Sequence, residues 1–224
     1  MNRHKIVVYG PSGSPFVEKV LLGLAFKGLP EAHVEEPKTA ADFRRWNPET
    51  GMLPVMDFDG VRVPDSSGIL DFLDARFPEP PLVARDPWIA RQQRQLEAWI
   101  GESFYFYWVR WLRAHVAPQD VDPSKPNDLE RMGILGRIGE VLASGPSLPG
   151  DLGPEFQRRL DDLASFLGAR PFFHADRPSR ADLTAAAFLM SLEAGTVPGG
   201  RRMLEARPSL VALLARVREA TGRG

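Results

Sequence analysis

Three short stretches place residues capable of chemistry next to structural breaks. Ser14 stands before Pro15 and an apolar run at helical spacing, with Val17, Val20, Leu21, Leu24 and Ala25 on one stripe. A hydroxyl at the positive end of a helix can donate to an anion. If that anion is a thiolate, the hydrogen bond and the dipole both favour the charged form and lower its pKa. Leu53-Pro54 stands before the strand pattern Val55-Met56-Asp57-Phe58. Proline cannot donate to a sheet ladder, so Pro54 belongs at a strand start or an edge. X-Pro bonds are also the ones that readily become cis. A cis bond here would turn the Leu53 amide and carbonyl outward to pair with an extended peptide; the plainer alternative is a strand-entry proline. Asp65-Ser66 begins a helix. Free amides there favour a ligand carboxylate, Ser66 adds a hydroxyl donor, and Asp65 can accept from an ammonium group. An amino-acid end carries both groups. Taken singly, Ser14 and Asp65-Ser66 also read as ordinary helix caps.

Other chemistries are narrowed by what the chain contains. It has no cysteine, which excludes disulfides and a protein thiolate, so any thiol must arrive with a ligand. His4, His33, His115 and His174 lie far apart with no ligand spacing, and no metal site is expected. His174 reads as a surface or loop residue. Lys and Arg number 28 against 29 Asp and Glu, without a basic stripe, so neither nucleic acid nor a membrane is an expected partner. The apolar run near the N-terminus is too short for a signal peptide, which points to a soluble, cytoplasmic protein.

The elements that must position these residues follow from the punctuation. Residues 5–9 read as a strand, 15–27 as a helix and 33–35 as a second strand, a βαβ unit with parallel strands. A short helical piece carries Phe43 and Trp46. Asp59-Gly60 is a hairpin signal between Val55-Phe58 and Val61-Val63, and a helix starts at Ser66. The fold class is thus an α/β first part, βαβ-α-ββα over residues 1–78, then a proline-rich connector over 79–87. An all-α part over 88–224 follows, with helical patterns at 88–115, 129–144, 154–168, 180–195 and 208–220. Ser179 and Asp182 form a capping box, a structural feature.

In combination these stretches resemble the glutathione S-transferases. "YGPSGSPFVEKVLLGLAFKGL" is similar to that family's first strand, catalytic loop and first helix. "NPETGMLPVMDFDGVRVPDSSGILDFL" is similar to its cis-proline and Asp/Glu-Ser segment, and "PSRADLTAAAF" to its buried capping box. The resemblance implies a thioredoxin-like domain followed by a helical domain, as a homodimer. It implies glutathione as co-substrate and an electrophilic small molecule as second substrate. Ser14 would meet the glutathione sulfur, Leu53 would pair with the cysteinyl part beside the cis-proline Pro54, and Asp65 and Ser66 would hold the γ-glutamyl end. A non-catalytic binding or regulatory protein of the same fold is the alternative function.

The chain also departs from the family pattern. The loop 47–53 is one residue longer, and Met52 stands where a lysine is common, so Lys38, Arg44 and Arg45 are the candidate cations for the glycyl carboxylate. Tyr9 and Ser12 are the rivals of Ser14. In "SFYFYWVRWLRAH", helical spacing puts Ser103, Tyr107 and Trp111 on one face, and Phe104, Trp108 and Trp111 on another. Most should be core; Tyr107 or Trp108 are candidates for the second-substrate pocket.

Overall fold

The computed structural model describes residues 4–29, 31–107, 153–195 and 199–223. β1 (Ile6–Tyr9) is followed by α1 (Pro15–Phe26), β2 (His33–Glu35), α2 (Ala40–Trp46), β3 (Val55–Phe58), β4 (Val61–Pro64) and α3 (Ser66–Arg76). The strands form one mixed sheet in the order β2-β1-β3-β4. β1 and β2 are parallel, and β1–β3 and β3–β4 are antiparallel. The remaining described helices are α4 (Pro87–Trp99), α5 (Gly153–Leu167), α6 (Arg180–Glu193), α7 (Gly200–Glu205) and α8 (Pro208–Thr221). This is a thioredoxin-like sheet domain followed by a helical region, the expected fold class. The helical patterns at 129–144 lie outside the described residues.

Local chemistry explains the element ends. Pro15 takes the first helical position of α1, where a missing N–H costs nothing. The helix closes with Gly28 donating to the Ala25 carbonyl (2.9 Å) and Leu29 to that of Leu24 (3.0 Å), the paired bonds of a Schellman end. Lys27 is buried there, and its Nζ donates to Asp74 Oδ1 (2.6 Å) and to the Phe77 and Pro80 carbonyls (2.7 and 2.6 Å). All three of its donors are used, which ties the end of α1 to the end of α3 and to the connector. Asp86 caps α4 by accepting from the Trp88 and Ile89 amides.

α1 is buried nearly all round because it lies between two partners. On one side Gly23 meets α3 so closely that a Cβ there would stand 2.4 Å from Leu70 Cδ2. On the other side Phe16 stacks edge-on against Phe188 of α6, with centroids 5.5 Å apart. One continuous apolar core runs from Val8, Met56 and Leu70 through to Phe104, Phe156 and Leu213.

The pattern read over 88–115 is helical as far as Tyr107, the last described residue of this stretch, with one local departure. After Trp99 the chain adopts a π-helical turn over Ile100–Phe104 and returns to α-helix to Tyr107. A wider turn shifts the angular phase, so faces drawn at 3.6-residue spacing do not carry across residue 100. Tyr105 packs on Phe16 at 4.9 Å. Two features went unanticipated: the short helix α7, and a second cis bond at Glu79-Pro80 in the connector. No described helix is long and apolar enough to cross a membrane.

Candidate functional site

Strand register brings the three predicted stretches to one end of the sheet. Tyr9 pairs with Val55, and Val55 pairs with Pro64. The residues just beyond these, Gly10, Pro54 and Asp65, therefore leave the sheet together. A Cβ at Gly10 would lie 2.5 Å from Val17 Cγ2 and 3.7 Å from Pro54 Cβ, so the loop leading to Ser14 rests directly on Pro54. The Leu53-Pro54 peptide is cis. Among the described residues, the Leu53 amide and carbonyl make no hydrogen bond.

Ser14 is the N-cap of α1 and is half-buried. Its carbonyl accepts from the Glu18 amide (3.0 Å), but its hydroxyl does no capping and has no partner among the described residues. The two rivals are occupied. Ser12 donates to Glu36. Tyr9 points to the opposite strand face from the core residue Val8, where its ring packs on Trp46 (4.9 Å) and beneath the Arg62 guanidinium (5.3 Å).

The turn into α3 differs in detail from the expectation of free amides. Asp65 has a left-handed backbone (φ 64°), which asparagine and aspartate tolerate better than most residues. Its Oδ2 accepts from the Ser67 (3.1 Å) and Gly68 (2.9 Å) amides, which removes two of the helix-start donors. The Ser66 amide remains without a partner among the described residues. Ser66 itself is buried, and its hydroxyl oxygen accepts from Lys19 Nζ at 3.2 Å.

Beneath Ser66 lies a charged network for which the sequence reading had no counterpart. Lys19 Nζ is 2.6 Å from Glu97 Oε1. Arg180 grips both oxygens of Glu97, reaches Asp71, and donates to the Ser67 carbonyl (3.2 Å). Arg94 pairs with Asp71 from outside (2.8 Å). Burial alone would push the Glu97 carboxyl up, but the adjacent Lys19 and Arg180 charges hold it below the usual carboxylate range. Burial pulls Lys19 down from its usual range, and Glu97 opposes that. The signal that could have exposed Lys19 is its flank. Leu22 and Gly23, three and four positions on, are buried, so the lysine lies on a second buried face of α1.

The loop 47–53 is held by a turn around buried Asn47. Its Nδ2 donates to Thr50 Oγ1 (2.8 Å) and to the Met52 carbonyl (2.9 Å), and the Gly51 amide returns to the Asn47 carbonyl (2.8 Å). Met52 is 60% exposed. Of the candidate cations, Arg45 pairs with Asp42 and Arg44 lies 3.5 Å from the Glu49 carbonyl. Exposed Lys38 has no side-chain partner among the described residues. Tyr107, beyond the π-helical turn, lies under Arg159 of α5, with the guanidinium carbon 4.9 Å from its ring centre. Trp108, Trp111 and His115 lie outside the described residues. His4 pairs with Asp59 (2.7 Å), and no group of three or more potential metal ligands occurs among the described residues.

A thioredoxin-like sheet joined to a helical region is the class of protein this fold defines. Residues 13–76 match the family model for the glutathione S-transferase N-terminal domain. Glutathione S-transferase U7 of Arabidopsis thaliana is 24% identical over 106 residues, which cover 46% of this chain and 47% of that protein. The chain spans about half the length of the curated relatives it matches. Among solved structures, a glutathione S-transferase from Rhodospirillum rubrum F11 superposes with a TM-score of 0.67 at 24% identity, covering 95% of this chain and 87% of that one. Rice GST1, solved in complex with glutathione, superposes with a TM-score of 0.69 at 21% identity, covering 100% of this chain and 91% of that one. Residues 13–76 are thus similar to the glutathione S-transferase N-terminal domain, and the chain as a whole shares the fold of these solved structures.

Proposed function

We propose that this protein is a glutathione transferase that binds glutathione at the shared end of the sheet and activates its thiol. The observation that carries the reading is the convergence there of three groups with no hydrogen-bond partner among the described residues. They are the Ser14 hydroxyl at the start of α1, the Leu53 backbone beside Pro54, and the Ser66 amide beside Asp65. Leu53 pairs with the cysteinyl backbone, Asp65 accepts from the γ-glutamyl ammonium through the oxygen not used in capping, and Ser66 donates to the carboxylate. Lys38 is the cation best able to meet the glycyl carboxylate.

Ser14 donates to the glutathione sulfur, and the start of α1 adds its dipole. Both stabilise the thiolate relative to the thiol, which in free form has a pKa of about 8.5. With the thiol proton lost to solvent, the thiolate attacks an electrophilic carbon, and the C–S bond forms as a leaving group departs with its electron pair or as the π pair of an activated double bond moves to the far atom, which is then protonated. The second substrate would lie against the helical region. The domain limits 1–78 and 88–224, a homodimer and a cytoplasmic setting belong to the same reading.

Calorimetric titration with glutathione, repeated with Asp65→Ala, tests the cradle. Turnover of model electrophiles with Ser14→Ala as control tests the chemistry. No binding at millimolar glutathione would overturn the transferase reading, and either that result or binding without turnover would move the protein to the non-catalytic alternative.

A further inference from the structure

We propose that Lys19 is the positioning residue of the γ-glutamyl subsite, fixing the Ser66 hydroxyl as a donor toward the ligand carboxylate while the helical region holds Lys19 in place through Glu97. This deepens the proposed glutathione reading and rests on it.

An ammonium group has three donors and no acceptor. Lys19 Nζ spends all three, on Ser66 Oγ (3.2 Å), Ser67 Oγ (2.9 Å) and Glu97 Oε1 (2.6 Å). Ser66 Oγ therefore receives a hydrogen bond from Lys19, and its own proton must point elsewhere. Ser67 shows where such a proton goes when an acceptor is near: its hydroxyl donates to Glu97 Oε1 at 2.9 Å. The Ser66 hydroxyl has no such acceptor among the described residues. Its O–H and the unclaimed Ser66 amide are two donors on one residue at the start of α3, with the cation directly behind them.

The cation is held by the other half of the molecule. Lys19 is 2% exposed and Glu97 4%. Glu97 lies on α4 and is gripped by Arg180 of α6, so both elements beyond the connector fix the Nζ position. Because Glu97 neutralises the ammonium, what Lys19 supplies is orientation: its N–H takes up the Ser66 oxygen and turns the Ser66 O–H outward. The arrangement discriminates: a thiol ligand lacking the γ-glutamyl carboxylate gains nothing from it.

The test is glutathione titration of the full chain by calorimetry. Lys19→Met alone leaves Glu97 short of a partner and could unfold the protein, so Lys19→Met/Glu97→Gln is made beside it, removing the pair together. Either variant that folds should bind glutathione roughly tenfold more weakly, the worth of one charge-assisted hydrogen bond. In a Ser66→Ala background the same change should cost less than about twofold, because Lys19 acts through the Ser66 hydroxyl. In turnover the loss should fall on KM for glutathione and leave kcat nearly unchanged. An equal loss in both backgrounds, or none in either, overturns the positioning role while leaving the glutathione reading intact. Failure of the unaltered protein to bind glutathione overturns both.

Discussion

Arg180, the first residue of α6, holds both carboxylate oxygens of Glu97, a residue 83 positions earlier, in a site from which water is nearly excluded. The contact joins two helices of the helical region directly under the start of α3. With Lys19 and Asp71 it couples the sheet domain to that region by charge as well as by the apolar packing of Phe16 on Phe188.

Removing one member of such a group should cost far more than removing the group. Arg180→Met leaves Glu97 with only Lys19 and the Ser67 hydroxyl and should destabilise the fold by about 3–5 kcal/mol, measured by urea unfolding. Combining it with Lys19→Met and Glu97→Met, which replaces the buried charges by packing, should restore much of that loss. A triple variant as weak as the single one would show that geometry, rather than unpaired charge, sets the cost.

Asp182 makes a pH-dependent contribution opposite to that of most carboxylates. Burial pushes it from 3.8 up to about 6, against hydrogen bonds from Ser179 and the Phe173 amide. The folded protein thus holds this proton more tightly than the unfolded chain. The stabilisation is full below about pH 4 and is lost as pH rises through about 6, amounting to at most about 3 kcal/mol. Asp182→Asn removes this titration. The stability of the unaltered protein relative to that variant should fall between pH 4 and 6 and level off above. A flat or rising difference would mean that the amide bonds outweigh burial.

Gly10 is fixed by contact. A methyl group there would meet Val17 at 2.5 Å, and Val17 is itself buried. Gly10→Ala should destabilise by roughly 1–3 kcal/mol through overpacking. Because the displaced segment carries Ser14 and rests on Pro54, KM for glutathione should also rise in steady-state assays.

Much of this was legible in the sequence where the cause is local. The Asp59-Gly60 hairpin, the Ser14-Pro15 helix start and the Ser179–Asp182 box are each set by residues within four positions of one another. The closeness of Pro54 and Asp65 follows from the Asp59-Gly60 hairpin, which sets Val55 opposite Pro64. What was not legible depends on distant partners. Lys19 and Glu97 are 78 positions apart, and one apolar stripe on α1 hid its second buried face. The π-helical turn at Ile100–Phe104 has no mark in the residue pattern and was not foreseen. Asp65 capping its own helix, rather than leaving those amides free, is a matter of side-chain rotamer that residue type alone does not fix.

The central claim is thiol activation by Ser14, and the thiolate absorbance of bound glutathione, followed in the ultraviolet across pH, tests it most directly. The account predicts a bound thiol pKa at least about one unit below the free value of roughly 8.5, returning most of the way in Ser14→Ala while glutathione still binds. A bound pKa equal to the free value, or a lowered one unchanged in Ser14→Ala, would contradict it.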